Sequence, residues 1–175
     1  DYINFFKINN ANNFNVLDLF CGCGGFSKGF EREGFNILSG IDNDEDSLNS
    51  FQNNFNKPGL KIDLFKDNCV DEISNNVKSK VDVLIGGPPC QGFSLTGTRV
   101  FDDPRNKLYL SFFKAVDYFK PKAFLIENVK GMKTLYNGNA LLSVIKEIEK
   151  RGYSVSYEVL NSSNFGVPQN RERLF

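Results

Sequence analysis

The chain of 175 residues carries 21 Lys and Arg against 21 Asp and Glu, four cysteines and no histidine. The length suits a single domain with its own core, and the cancelled charge excludes a segment that holds nucleic acid by general electrostatic attraction alone. Uneven cysteine spacing excludes a disulfide framework, the missing histidine excludes mixed Cys/His zinc sites, and neither a membrane-spanning apolar run nor a secretory signal is seen; a reduced, intracellular protein without metal or membrane is expected.

In chain order, the first predicted strand runs from Asn15 to Phe20, followed by the turn Cys21-Gly22-Cys23-Gly24-Gly25 and a helix over Phe26 to Gly34. A second strand, Asn36 to Ile41, ends at Asp42-Asn43, and Leu48, Phe51 and Phe55 recur at helical spacing after it. Strands are predicted at Lys61 to Phe65 and Val81 to Ile85, and the irregular stretch from Gly86 to Lys107 then exceeds ordinary loop length. Leu108, Phe112, Val116 and Phe119 mark a helix, Ala123 to Glu127 a strand, Leu141, Ile145 and Ile148 a helix, and Ser154 to Leu160 the last strand. The order βαβαβαβαβαβ is that of an α/β fold, a parallel sheet with helices on both faces.

The glycines after the first strand permit tight turning and let a ligand approach the backbone, and the helix start offers unpaired N–H groups. Asp42 follows at about the twenty-residue distance expected of a ribose-binding acid. Gly22, Gly24, Gly25 and Asp42 thus suit a nucleotide-like ligand, although Ser27 stands where the third glycine of the dinucleotide fingerprint belongs. A structural reading competes, in which the glycines make a turn and Asp42 caps the next helix.

Strand four runs into Gly86-Gly87-Pro88-Pro89-Cys90-Gln91-Gly92-Phe93-Ser94. Strands one and four commonly flank the ligand crevice of an open parallel sheet, which sets Cys90 beside the glycine turn. A thiolate is a strong nucleophile, two prolines fix its approach, and Gly92 and Gly97 hinge the loop beyond it. The competing reading of Cys90 is a small buried hydrophobe; Cys21 and Cys23 are read as packing or loop residues. Glu127 and Asn128 end strand five at the same edge, where a carboxylate in a partly dry cleft can serve as a proton donor. Arg171 and Arg173 alternate, so in a strand both project from one face, with forks suited to a carbonyl or phosphate. Solvated charge is the competing reading for these acids and arginines.

Asp18-Leu19-Phe20-x-Gly-x-Gly-Gly, Gly87-Pro88-Pro89-Cys90-Gln91-Gly92-Phe93-Ser94, Glu127-Asn128-Val129 and Gln169-Asn170-Arg171-Glu172-Arg173, in this order, resemble the C5 cytosine-specific DNA methyltransferases, including enzymes of restriction-modification systems. The resemblance covers Asn15 to Phe175. It implies the class I S-adenosylmethionine-dependent methyltransferase fold, which is Rossmann-like, with S-adenosyl-L-methionine as methyl donor and cytosine in double-stranded DNA as target. It implies that Phe20, Gly22, Gly24 and Gly25 face the cofactor, that Asp42 holds the ribose hydroxyls, that Asp67 meets the adenine amino group and that Leu108 packs near the adenine, with Asn43 and Pro88 in the same site. It implies Cys90 as the nucleophile on carbon 6, a protonated Glu127 at ring nitrogen 3, Arg173 at the carbonyl oxygen, and Arg171 and Asn128 in support. The target base is then flipped out, with the loop after Cys90 as a lid.

Members of that family continue past the arginine motif into a variable target-recognition region and a final Asn-containing segment, and neither is present here. Residues 1–175 are therefore expected to be one incomplete catalytic domain, either truncated, which is favoured, or completed by a second polypeptide that carries the recognition region. Exposed apolar surface and an unpaired sheet edge would follow. A transfer RNA cytosine-5 methyltransferase is the alternative enzyme, against which Gly92-Phe93-Ser94 weighs. A non-catalytic cofactor-binding subunit is the other alternative, against which the intact set of Cys90, Glu127, Arg171 and Arg173 weighs.

Overall fold

The computed structural model describes residues 14–89 and 107–175. Five parallel strands form the main sheet: β1 (Asn15–Leu19), β2 (Asn36–Asp42), β3 (Gly59–Lys61), β4 (Val83–Gly86) and β5 (Ala123–Ile126), in the order β3-β2-β1-β4-β5. Central β1 and β4 read as near-continuous apolar runs because helices cover both faces of the sheet. One face packs on α1 (Gly25–Arg32) and α2 (Glu45–Phe55) through Val16, Phe51, Phe55 and Ile85. The other face packs on α3 (Cys69–Asn76), α4 (Lys107–Phe119) and α5 (Asn139–Glu149) through Leu17, Ile73, Phe112 and Val144. Strand order reverses between β1 and β4, as the sequence reading expects, and a ligand crevice belongs at the carboxyl ends of these two strands.

Three elements differ from the sequence reading. The third strand is Gly59–Lys61 rather than Lys61 to Phe65, because the chain turns: the Asp63 side chain accepts the Phe65 N–H at 2.9 Å and its carbonyl accepts the Lys66 N–H at 3.1 Å. Helix α3 forms where no helical run had been located, burying Cys69, Val70 and Ile73 on one side. The last strand, β7 (Val159–Asn161), leaves the main sheet; with β6 (Asn128–Val129) and β8 (Glu172–Leu174) it makes an antiparallel sheet in the order β6-β8-β7. Among the described residues β5 pairs with β4 alone. Its other edge faces a cavity of about 550 Å³, walled by α5 and by Tyr153, Val155 and Tyr157. No helix among the described residues is long and apolar enough to cross a membrane.

Candidate active site at the carboxyl edge of the sheet

Parallel strands deliver their following residues to one edge: the glycine turn after β1, Asp42 and Asn43 at the end of β2, Pro88 after β4 and Glu127 after β5. Phe20 leaves β1 at φ 61°, followed by Gly22 at 52° and Gly24 at 91°. A left-handed aromatic residue costs about 1–2 kcal/mol, a strain typical of functional turns. The two glycines do different work. A Cβ on Gly22 would meet nothing within 4 Å, so its backbone fronts open space; a Cβ on Gly24 would meet Phe55 at 2.2 Å, so that glycine seats the turn against α2. Gly25, the first residue of α1, is exposed with open space at its Cβ position.

Asp42 does not cap α2; Asp44 does, accepting the Ser47 N–H at 2.9 Å. The Asp42 carboxylate instead accepts the N–H of Gly22 at 2.9 Å, of Asn43 at 2.8 Å and of Asp44 at 3.2 Å. A carboxylate offers about four acceptor positions, so Asp42 is held in one orientation with capacity left for a hydroxyl. Asn43 is exposed, Leu108 half-buried in the first turn of α4, and the Asp67 side chain is 81% exposed with Lys114 at 3.4 Å. A carboxylate with spare acceptor capacity beside the open backbone of Gly22 can take a sugar hydroxyl, which fits a nucleoside.

Beneath this turn lies a pair that sequence reasoning missed. Asp18, 1% exposed in the middle of an apolar strand, accepts the Ser27 hydroxyl at 2.6 Å, and its Oδ1 has no hydrogen-bond partner among the described residues. Burial pushes the Asp18 carboxyl up to about 7; the Ser27 hydrogen bonds oppose the shift and nearby Asp42 adds to it. Ser27, standing at the third position of the fingerprint, thus ties α1 to the end of β1. An acid inside an apolar run was the signal that could have found it. Burial also pushes the thiol of Cys21 up, which with its 6% exposure makes it a packing residue.

At the other end of the crevice, the Glu127 N–H donates to the Gly86 carbonyl at 3.0 Å, and a Cβ on Gly87 would stand 3.1 Å from Glu127 Oε2. The carboxylate therefore lies directly over the backbone that leads into Pro88. Arg173 Nε sits 2.9 Å from Glu127 Oε1, both side chains about a quarter exposed. Antiparallel pairing makes this contact: β8 aligns Arg173 with Val129, one pleat from Glu127 on the same side. Asn128 is buried; its Nδ2 donates to the Pro88 carbonyl at 2.9 Å and to the Tyr109 hydroxyl at 2.7 Å, while its Oδ1 accepts the Val129 N–H at 2.8 Å. Arg171 is exposed and lies just before β8, so only Arg173 of the two arginines is within the strand. Cys90 follows Pro88-Pro89 and, with the rest of 90–106, lies outside the described residues. Tyr109 was also missed, its ring hidden in the apolar pattern of α4.

A family model described as C-5 cytosine-specific DNA methylase matches residues 14–175. The Type II methyltransferase M.DdeI of Desulfomicrobium norvegicum is 41% identical over 165 residues, which span 92% of this chain and 39% of the relative. M.AquIA of a Picosynechococcus species is 39% identical over 172 residues, spanning 91% of this chain and 69% of the relative. A crystal structure described as that of a DNA modification methyltransferase encoded within an E. coli prophage superposes with a TM-score of 0.73 at 31% identity, covering 92% of this chain and 45% of that one. The S. pombe Dnmt2 methyltransferase, at 21% identity and a TM-score of 0.72 over 93% of this chain and 48% of its own, shares the fold. That fold is the class I methyltransferase fold, and this chain spans about two fifths of the length of its first curated relatives, 39% and 38%. Because the family match begins at Phe14, ends at Phe175 and takes in every strand of both sheets, the chain belongs to the C-5 cytosine-specific DNA methylase family.

Proposed function

We propose that this chain is the cofactor-binding and catalytic part of a DNA (cytosine-5-)-methyltransferase of a restriction-modification system, with S-adenosyl-L-methionine as methyl donor and Cys90 as nucleophile. The observation that carries the reading is the Glu127–Arg173 ion pair at 2.9 Å, seated over Gly87 three residues before Cys90. It supplies a carboxyl group and a fixed cationic fork at one point, beside the segment that leads to Cys90.

Carbon 5 of cytosine is a weak nucleophile, and addition of a thiolate at carbon 6 turns it into an enamine carbon. In this scheme Cys90 Sγ bonds to carbon 6, and the displaced ring electrons move toward nitrogen 3 and the carbonyl oxygen at carbon 2. Glu127 holds a proton at nitrogen 3 and Arg173 donates to the oxygen, so the developing charge meets groups already in place. Asn128 and Arg171 support that geometry. When bound, S-adenosylmethionine supplies an electrophilic sulfonium methyl; Phe20, Gly22, Gly25, Asp42, Asn43, Asp67, Pro88 and Leu108 are assigned to hold it, and Gly24 to seat the turn. After methylation, the carbon 5 proton passes to solvent, the electrons of its bond restore the ring double bond, and the carbon 6–sulfur bond breaks to release Cys90 as thiolate. A base within a duplex cannot reach such a pocket, so the cytosine is flipped out of double-stranded DNA. We assign the choice of DNA sequence to protein beyond these residues, in the same polypeptide or a second one.

The test is transfer of labelled methyl by the complete gene product, offered unmethylated DNA and transfer RNA side by side, with Cys90→Ala in parallel. Label at carbon 5 of cytosine in DNA alone, abolished in Cys90→Ala with cofactor binding retained, is the expected result. Label in RNA alone would make it a transfer RNA enzyme. Cofactor binding without any transfer would make it a non-catalytic subunit, and transfer by Cys90→Ala would remove that residue from the mechanism.

A further inference from the structure

We infer that the Tyr109 hydroxyl is a positioning group for the reaction: it locks the Asn128 carboxamide, which in turn holds the chain segments carrying Cys90 and Glu127 together. The inference rests on the proposed roles of those two residues. Its geometry, however, comes from the described residues alone. Asn128 Nδ2 has two protons, and both are spoken for, one by the Pro88 carbonyl at 2.9 Å and one by the Tyr109 oxygen at 2.7 Å. Its Oδ1 accepts the Val129 N–H at 2.8 Å. With a donor face on Pro88 and Tyr109 and an acceptor face on Val129, the amide can sit only one way round.

The phenol is fixed as well. Its oxygen accepts from Asn128, and its own proton points to the Met132 sulfur at 3.3 Å, in a site where Tyr109 is 1% and Met132 2% exposed. Removing the hydroxyl therefore takes from a buried N–H of Asn128 its protein partner. The consequence falls on two backbones at once. Pro88 precedes Cys90 by two residues, and Asn128 directly follows Glu127, whose carboxylate already lies against Gly87. Three parts of the fold therefore meet at one amide, α4 through Tyr109, β6 that carries Asn128, and the segment after β4 through Pro88, with Met132 holding the phenol from behind. A hydroxyl placed only for packing would have no reason to be the second acceptor of this amide.

The experiment uses the complete gene product with Tyr109→Phe, which keeps the ring, alongside Asn128→Ala, the double variant and Cys90→Ala. Single-turnover methyl transfer to DNA and the dissociation constant of S-adenosylmethionine are measured for each. Tyr109→Phe is expected to slow transfer about tenfold, the rate equivalent of one mis-set hydrogen bond, with cofactor affinity unchanged. In the Asn128→Ala background the same change is expected to have no further effect, since the phenol acts through that amide. Transfer unaltered by Tyr109→Phe, or slowed by an equal factor whether or not Asn128 is present, would overturn the positioning role. If Cys90→Ala still transfers methyl, the underlying reading of the site falls instead, whatever Tyr109→Phe does.

Discussion

The two ends of the crevice are built in opposite ways. The glycine turn is a local construction: Phe20, Gly22 and Gly24 at positive φ, an acid from the neighbouring strand accepting three backbone N–H groups, and one buried Asp–Ser contact. The Glu127 end is assembled from distant side chains, with Arg173 arriving from β8, Tyr109 from α4 and Pro88 from the segment after β4. A site of backbone amides holds its shape as long as the turn holds, which suits a ligand of constant form. A site of interlocked side chains can hold charge and protons at chosen points, and depends on every partner being present.

The sharpest break between the two ends is Glu127→Gln. It replaces the ionisable carboxyl by a carboxamide of the same shape, and should lower methyl transfer by roughly a hundred- to a thousandfold with cofactor affinity unchanged, the scale for losing one preorganised electrostatic group. Steady-state transfer and equilibrium cofactor binding check it, and a parallel loss of affinity would show that the ends are not separable.

Next is the pH dependence of stability at the glycine-turn end. Below the ordinary carboxyl value of 3.8 both folded and unfolded chains hold the Asp18 proton, and burial carries no penalty. Between there and about 7 the unfolded chain releases the proton while the folded chain keeps it, so stability falls as pH rises. The full loss, present above about 7, is on the order of 4 kcal/mol. Asp18→Asn should remove this slope, leaving the variant relatively more stable at pH 8 than at pH 5 by urea denaturation. An unchanged slope would assign the pH dependence to another group.

The two glycines divide the same end further. Gly24→Ala should destabilise the fold by about 2–3 kcal/mol, because its Cβ meets Phe55 at 2.2 Å and φ is 91°. Gly22→Ala, with nothing within 4 Å, should carry only the backbone strain of about 1 kcal/mol, yet weaken S-adenosylmethionine binding measurably. Calorimetric titration of both variants beside their denaturation curves separates a packing glycine from a ligand-facing one.

Much of this protein is legible in its residues in order. Helical spacing of Leu48, Phe51 and Phe55 or of Phe112 and Val116 locates α2 and α4, and the apolar runs of β1 and β4 mark buried parallel strands, because periodicity and burial are properties of neighbouring residues. The motifs likewise point to one edge of the sheet, since parallel strands must deliver their ends together. The Asp63 turn was missed because a side chain competing with a strand ladder leaves no mark on the apolar pattern of Ile62 and Leu64. The Asp18–Ser27 contact, the placing of Arg173 on Glu127 and the meeting of Pro88, Asn128, Tyr109 and Met132 were decided only by the tertiary structure. None of those contacts follows a local period: the first depends on how α1 packs back on β1, and the others exist because the β4–β5 pairing and the antiparallel β6–β8 register bring their backbones within reach.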